Sequence, residues 1–468
     1  MKLSQHHIHY IGFVLITILA FWQIVFFVHP VKYDMIDCYL PWRYHIGECL
    51  QHGKFPFWNP YQDLGYPIHA DPSSGAWYPI VWIIGYFFGY DVFTIGMEMW
   101  LHIIVAGIGF YKLSNTLQNN NNISFIAAIS YMLCGIFIGN AQHLTYTISA
   151  CWIPFILNYY IRMISEPSYL NSIKTAIPLF LLLTGGYPAF TIILFYFISI
   201  LFIYAILSNR INKKYFAPFI KRNALFFILT IILSSGLLIS VWEVSPYISR
   251  TNDFGIKQAL FCPFSPQSSI SFILPFVVIK NMDFFATDLS MSNAYFGILF
   301  FMFFIASFFI KKPTLYKIIF AFSFACLLAS FGSYLPVREF LFDYVPLMNL
   351  FRFPSSFRLF VIIGFIILAA HWLDFFMKNE TKKTIKIIKI ILYTFIILLI
   401  TIIIIARLQG YLTIKQFVAN ELFIFSDVST IFQHAAFQGA IQLLVISSFL
   451  YLLIKIKNKQ TLLKYTAV

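Results

Sequence analysis

The sequence predicts an all-α polytopic membrane protein with about twelve transmembrane helices and additional interfacial helices in its first outer loop. Hydrophobic residues make up 60% of the 468 residues and charged residues only 11%, whereas a soluble globular protein carries about 25% charged residues. The mean hydropathy is +0.79. Apolar runs of about 20 residues recur along the chain, and each is long enough to cross a hydrocarbon core of about 30 Å as a helix. A soluble fold is therefore excluded.

Twelve candidate spans follow from the positions of these apolar runs. The first run follows a lone Lys2 and has no small-residue cleavage site after it, so we expect a retained span and not a cleaved signal peptide. The predicted spans are 9–28, 93–113, 123–140, 147–164, 172–187, 189–208, 224–248, 293–310, 315–331, 357–377, 385–406 and 434–454.

The stretch 77–90 (WYPIVWIIGYFFGY) decides the topology of everything after it. Its 14 residues reach only about 21 Å as a helix, and it contains one proline and two glycines. If this stretch lies in the outer interface, the later loops alternate between the two faces in a fixed order. The cytoplasmic segments then contain most of the 32 Lys and Arg of the chain. They contain only three acids, Glu166, Asp374 and Glu380. Because basic residues in short loops favour the cytoplasm, we expect 77–90 to be interfacial and both termini to be cytoplasmic.

This topology predicts a single transmembrane domain over 1–468 with no soluble C-terminal domain. Its outer face carries a first loop at 29–92 and further loops at 249–292, 332–356 and 407–433. The net charge of +14 comes from basic residues scattered in short loops and not from a basic domain, so we expect a lipid bilayer as partner and no nucleic acid. The six cysteines show no metal-ligand or redox spacing.

The first outer loop begins with a predicted amphipathic helix over 38–52. Pro41 suits its first turn and Gly53 its C-terminal cap, and the apolar spacing places Arg43, Glu48 and Gln51 on its wetter side. Asp34 and Asp37 stand just before it, one turn apart. Either acid can cap the helix, or serve as a general base at the water–lipid boundary, where partial desolvation raises the basicity of a carboxylate.

The second half of this loop is rich in aromatic residues and prolines. It runs through Trp58-Asn59-Pro60, Gly65-Tyr66-Pro67, His69-Ala70-Asp71 and Tyr78-Pro79. X-Pro steps fix an extended, turning path, so we expect Trp58, Asn59, His69 and Asp71 to frame a cavity. Asp71 equally suits a turn before Pro72, and His69 alone is a weak signal.

The order of these residues resembles the opening of the YfhO family of bacterial membrane proteins, which belong with the GT-C glycosyltransferases. The resemblance covers most of 30–360. Its positions are Asp34, Tyr39-Leu40-Pro41-Trp42, Gly53, Pro56, Trp58-Asn59-Pro60, Gly65, Pro67, Ala70-Asp71, Tyr78-Pro79, Gly185-Gly186-Tyr187-Pro188 and the segment 347–358 (LMNLFRFPSSFR).

The resemblance implies a GT-C-like fold in the bacterial inner membrane and an enzyme that takes a sugar from a polyprenyl-phosphate carrier. The sugar would pass to a hydroxyl acceptor on the non-cytoplasmic face. GT-C enzymes use an acid of the first outer loop in catalysis, and that position matches Asp34 best, with Asp37 as its rival. Arg352 and Arg358 are the candidate ligands of the donor phosphate, because guanidinium matches phosphate geometry; alternatively both only snorkel to the interface.

Other residues are weaker candidates for the same site. His143, in the short outer loop GNAQHLTYT, and Tyr187 could contact donor or acceptor, although His143 suits a surface or packing role equally well. Glu243, Asp283 and Asp288 are further outer acids that could equally be solvated. Two or three outer acids could hold a divalent cation, but no spacing demands a metal or any other cofactor.

Two other functions compete with the enzyme. A lipid or glycan transporter or flippase often carries charged residues at span centres. Here the span interiors are nearly free of charge, with Glu98 as an exception, which favours surface chemistry. A non-catalytic envelope-assembly protein would be expected to have a degenerate site, and the acids and arginines of this chain argue mildly against that.

Overall fold

The computed structural model describes residues 5–208, 213–247, 255–279, 282–379, 381–409 and 431–455, and within these ranges the chain is helical without a β-strand. The longer helices are α1 (Gln5–Ala20), α2 (Leu40–Gln51), α3 (Pro79–Phe87), α4 (Thr94–Gln118), α5 (Asn121–Met132), α6 (Leu144–Ser165), α7 (Tyr169–Gly185), α8 (Pro188–Leu207), α9 (Lys213–Leu233), α10 (Ser235–Val244), α11 (Ile298–Ala306), α12 (Thr314–Ser330), α13 (Val337–Tyr344), α14 (Arg358–Lys378), α15 (Lys382–Leu408) and α16 (Ile431–Lys455).

Short helical turns connect these helices. They are a π-helix at Met35–Tyr39, single α-turns at Trp22–Val25, Gly135–Gly139, Ile256–Ala259 and Met282–Phe285, and 3-10 turns at Ile68–Ala70, Ser245–Tyr247, Pro266–Phe272, Val277–Ile279, Leu289–Met291, Ser307–Phe309, Gly332–Tyr334, Met348–Leu350 and Pro354–Phe357.

Each of the twelve predicted spans overlaps one helix or two or three consecutive helical segments, and the chain is a polytopic helical membrane protein. Seven helical segments of the described chain are long and apolar enough to cross a membrane. They are 94–118, 121–139, 188–207, 216–233, 354–378, 382–408 and 431–455. Most of the predicted loop 407–433 and the C-terminal tail lie outside the described residues, and the sidedness of the loops stays a prediction.

The chain divides into two compact units. Unit 1 comprises 1–116, 140–259 and 341–352, and unit 2 comprises 117–139, 260–340 and 353–468. In unit 1, α6 packs against α7, which in turn packs against α9. In unit 2, α14 is the central helix: it packs against α5, α11 and α12, and 89% of its span is buried.

Small residues allow the closest helix contacts, as expected where lipid removes the hydrophobic drive between helices. In unit 1, α2 crosses α3 at Gly47 and Gly85, and a Cβ on Gly85 would lie 2.9 Å from the Cα of Gly47. In unit 2, Ser323 lies against Gly364 and donates from Oγ to the Phe360 carbonyl at 3.0 Å. The stretch 77–90 forms only the nine-residue helix α3, which is about 14 Å long and too short to span a membrane.

Candidate active site

The structure brings together two of the predicted site residues, Asp34 and His143. Nε2 of His143 lies 3.3 Å from Oδ2 of Asp34, and the exposed fractions of the two side chains are 16% and 49%. Asp34 directly precedes the π-helix Met35–Tyr39, but its side chain makes no capping hydrogen bond. Asp37 lies one turn further along and is exposed. Of the two acids, Asp34 is therefore the one held by a basic partner.

The helix that follows these acids differs from the predicted helix over 38–52. It begins at Met35 as a π-helix and continues as α2 from Leu40, with Pro41 in the first turn. Gly53 has φ +67°, so the predicted glycine at the C-terminal end is confirmed. π-Helical turns widen a helix and frequently mark functional sites. Here the wide turn carries Asp37 and directly follows Asp34.

Unit 1 anchors this turn to the start of α6. The hydroxyls of Tyr39 and Thr145 lie 2.8 Å apart, and both side chains are buried. Burial raises the pKa of Tyr39, so its phenol stays neutral and serves only as a hydrogen-bonding group. His143 immediately precedes α6. The Tyr39–Thr145 contact therefore holds the π-helix where Asp34 meets His143.

Stacked aromatic rings form a wall beside His143. Its ring lies 5.3 Å from the ring of Tyr146, which stacks on Tyr187 at 5.1 Å. The backbone N–H of Tyr187 donates to Ser149 Oγ at 2.9 Å. The turn before Tyr187 must be made of glycine, because a Cβ on Gly186 would lie 2.6 Å from the same Oγ. Tyr187 and His143 thus belong to one aromatic wall.

The other predicted loop residues hold the loop itself in shape. Asn59 is buried, pairs its backbone with Tyr66, and accepts the Tyr61 N–H at Oδ1. Nδ1 of His69 lies 2.7 Å from the Phe57 carbonyl, so Nδ1 carries the proton. Asp71 accepts the Ser73 N–H at 2.8 Å, as expected of a turn former.

Trp58 is the exposed member of this predicted group. Its ring covers Gly65, where a Cβ would lie 2.7 Å from the indole nitrogen, and its own carbonyl lies 2.9 Å from Nε2 of His45 on α2. The indole of Trp42 donates to Gln62 at 2.8 Å. The second half of the loop is thus fastened to α2.

The prediction that Arg43 lies on the wetter side of α2 is wrong, although Glu48 and Gln51 are exposed as expected. Arg43 is fully buried, with Nε 3.4 Å from Oε2 of Glu98, and its Nη1 donates to the Ser74 carbonyl. Tyr90 donates to the same Glu98 oxygen at 2.8 Å. Glu98 is a lone acid within a predicted span, and a buried carboxylate needs a basic or hydrogen-bonding partner. That need was the signal in the sequence that could have predicted a buried arginine.

Unit 2 contains Arg358, and the end of unit 1 contains Arg352. Arg358 is 1% exposed, donates from Nη2 to the Ser290 carbonyl at 3.2 Å, and lies over the Phe264 ring. Asp288 accepts the Ser290 N–H at 2.8 Å and so caps a 3-10 turn. Arg352 is exposed. Their shared role at a donor phosphate stays a prediction.

Residues that could hold a metal do not cluster in the part of the chain that the structure describes. There, no group of three or more His, Cys, Asp or Glu is placed to bind a metal ion. The described contacts of Asp34 and Asp288 are with histidine and serine, respectively.

The fold is similar to that of a solved membrane protein. The crystal structure of ArnT from Cupriavidus metallidurans bound to undecaprenyl phosphate matches with a TM-score of 0.54 and 14% identity, over 97% of this chain and 74% of that chain. No family model matches the sequence, and no curated protein matches it significantly. Membership of the YfhO family therefore stays a prediction. The chain is a polytopic helical membrane protein whose fold is similar to that of ArnT.

Proposed function

We propose that this protein is a membrane glycosyltransferase that moves a sugar from a polyprenyl-phosphate carrier to a hydroxyl acceptor on the non-cytoplasmic face. The observation that carries the proposal is the pairing of Asp34 with His143 at the start of the first outer loop, within a GT-C fold. The ArnT structure contains undecaprenyl phosphate, and that carrier is the donor class we assign here. The acceptor is a cell-envelope polymer, lipid or protein.

The reaction is a single displacement. The acceptor oxygen bonds to the anomeric carbon of the sugar while the bond from that carbon to the phosphate oxygen breaks. The electron pair leaves on the polyprenyl phosphate, and the hydroxyl proton moves to a carboxylate oxygen of Asp34, the general base. Asp34 is about half exposed, so one side of the carboxylate remains accessible to an acceptor. Asp37 is the rival base.

His143 acts on Asp34 as a positioning residue. Its Nε2 faces Oδ2 of the carboxylate at 3.3 Å, and its ring is held by Tyr146. A hydrogen bond from Nε2 leaves the other carboxylate oxygen for the acceptor proton and limits rotation of the side chain. Catalytic groups need such restraint, because a base must lie within hydrogen-bond reach of the proton that it removes.

The two arginines differ in what they offer a phosphate. Arg352 is exposed, and a guanidinium there can form two parallel hydrogen bonds to phosphate oxygens. Arg358 is buried and already donates to the Ser290 carbonyl. We therefore expect Arg352→Ala to weaken donor use directly, whereas Arg358→Ala acts mainly through the fold of unit 2.

The test is a transfer assay with full-length protein in proteoliposomes that contain a panel of undecaprenyl-phosphate hexoses, with a cell-envelope fraction supplied as the source of hydroxyl acceptors. Mass spectrometry follows the loss of each donor and the release of undecaprenyl phosphate. General-base catalysis contributes about 10²- to 10⁴-fold, so Asp34→Asn should lower turnover by that factor. His143→Ala should lower it about ten- to a hundredfold, as for one hydrogen bond to a charged group.

The matched control is Glu48→Gln, which removes an exposed carboxylate from the same loop. It should keep wild-type turnover, and Asp37→Asn measures the rival base. Asp34→Asn should leave thermal stability within about 1 kcal/mol, because a half-exposed ion pair contributes little. Normal turnover in Asp34→Asn and Asp37→Asn, with normal expression, would refute the site. Absence of donor consumption by wild-type protein across the whole panel would refute the donor class.

A further inference from the structure

We propose that unit 1 carries a second binding site, for a phosphate-bearing headgroup, at the end of α6 opposite to His143. The site is a pocket of about 450 Å³ formed by α1, α4, α6 and α7. We call it the basic pocket. Its basic side chains are His6, His7, Lys112, Arg162 and Lys174.

The charge of the basic pocket points to an anionic ligand. Lys112, Arg162 and Lys174 come from three different helices, and the described residues that line the pocket include no carboxylate. Like charges this close repel one another unless an anion compensates them. The two ammonium groups lie over aromatic rings: Lys112 Nζ lies 5.5 Å from the Phe155 centroid and Lys174 Nζ lies 5.6 Å from the Tyr159 centroid.

A buried amide adds a neutral donor to this set. Arg162 Nε donates to Thr116 Oγ1 at 2.9 Å, and that hydroxyl donates to Asn158 Oδ1 at 2.7 Å. The acceptor end of Asn158 is thereby occupied. Asn158 lines the pocket and is 0% exposed, and its Nδ2 has no hydrogen-bond partner among the described residues. A buried donor without a partner costs free energy, and a phosphate oxygen would satisfy it.

The position of the basic pocket suits a lipid headgroup. Arg162 lies 19 residues along α6 from His143, a rise of about 28 Å, so the pocket and the Asp34–His143 pair lie at opposite ends of this helix. Its basic residues assign the pocket to the cytoplasmic face by the positive-inside rule. Two of the helices that form the pocket, α1 and α7, carry the exposed apolar side chains Ile8 and Ile173 near their N-termini. These side chains suit contact with lipid acyl chains. Basic pockets between membrane helices on this face bind anionic lipid headgroups.

The experiment measures lipid retention by native mass spectrometry on full-length protein in detergent. The probes are phosphatidylglycerol and phosphatidylcholine, added separately. The pocket variant is Arg162→Gln with Lys174→Gln, two exposed positions where the fold should tolerate the change. The control variant is Lys382→Gln with Lys383→Gln, two exposed lysines at the start of α15.

We expect wild-type protein and the control variant to retain phosphatidylglycerol, and the pocket variant to retain about tenfold less, with phosphatidylcholine held weakly by all three. A second arm measures the melting temperature with added inorganic phosphate. One outcome is that phosphate raises the melting temperature of wild-type protein and of the control variant but not of the pocket variant, while lipid retention is the same in all three. That outcome would assign the site to a soluble phosphate compound.

Equal responses of the pocket variant and wild-type protein to both probes would overturn the proposal. Lys112→Gln provides a second, single substitution for the same comparison, in case the double variant is poorly expressed. The site is independent of the transfer reaction, so none of these outcomes depends on glycosyl transfer.

Discussion

The buried pair of Arg43 and Glu98 allows a quantitative test of how the first outer loop is held. Both side chains are 0% exposed. Glu98→Gln keeps an acceptor for Tyr90 but leaves the guanidinium charge buried without its counter-ion. Removal of one partner of a buried ion pair costs about 3–5 kcal/mol, so we expect this loss of unfolding free energy in Glu98→Gln and a similar loss in Arg43→Met.

The double variant Arg43→Met with Glu98→Leu should recover most of that loss. In the wild type, Oε1 of Glu98 and Nη2 of Arg43 have no hydrogen-bond partner within the described residues, so the pair is incompletely satisfied. Replacing a buried ion pair by apolar side chains of similar volume is often neutral or stabilising. Tyr90 loses its acceptor in this variant, so we expect the double variant to lie within about 1–3 kcal/mol of wild type.

The assay is equilibrium unfolding in mixed micelles with increasing SDS, followed by tryptophan fluorescence. Lys378→Gln is the matched control, because its partner Asp374 lies one helical turn away and the lysine is 59% exposed. That change should cost only about 0.3–0.5 kcal/mol. If the two charges do not interact, the loss of unfolding free energy in the double variant will equal the sum of the losses in the two single variants. That result would refute the reasoning.

Three further predictions concern other parts of the chain. Gly85→Val should destabilise the protein by about 1–3 kcal/mol in the same assay, because its Cβ would meet the Gly47 backbone, whereas Gly255→Ala should be neutral, because no atom lies within 4 Å of its Cβ position. Arg358→Ala should lower the free energy of unfolding by about 2–4 kcal/mol, because it removes a buried hydrogen bond from a charged group. Arg352 is exposed, so Arg352→Ala should change that free energy by no more than about 0.5 kcal/mol. Equal losses in the two variants would contradict the burial of Arg358. Burial raises the pKa of the Cys38 thiol, and the carboxylates of Asp34 and Asp37 raise it further. A protein with Cys38 as its only cysteine should therefore alkylate slowly at pH 8. Asp34→Asn should accelerate the alkylation, because it lowers this pKa and increases the thiolate fraction.

The helices could be predicted from the sequence because their signal is local. An apolar run of about 20 residues is enough to indicate a span, and all twelve predicted runs overlap helical segments. The same local rules placed Gly53 at a helix end and Asp71 in a turn. The π-helix before Pro41 was missed, because its wide hydrogen-bonding pattern has no distinct residue signature.

The contacts that define the candidate site are between residues far apart in the sequence. Periodicity indicates that one face of α2 is wet, but it does not reveal that Glu98, on another helix, draws Arg43 into the interior. Likewise His143 and Asp34 were each recognised as candidates, whereas their pairing depends on how α6 meets the π-helix. The hydrogen bond between Tyr39 and Thr145 holds the π-helix against α6. In the sequence these two residues are only hydroxyl side chains close to Asp37 and His143, which does not predict that they pair.

The polarity of α6 connects the two sites proposed for unit 1. Its peptide dipoles place partial positive charge at the N-terminus, beside His143, and partial negative charge at the C-terminus, beside Arg162. The first end therefore places a positive potential beside the Asp34–His143 pair. The second end stabilises clustered cations, which can then receive a phosphate. One helix direction thus favours a carboxylate at one end of α6 and a basic pocket at its other end, and reversing either charge would act against the same dipole.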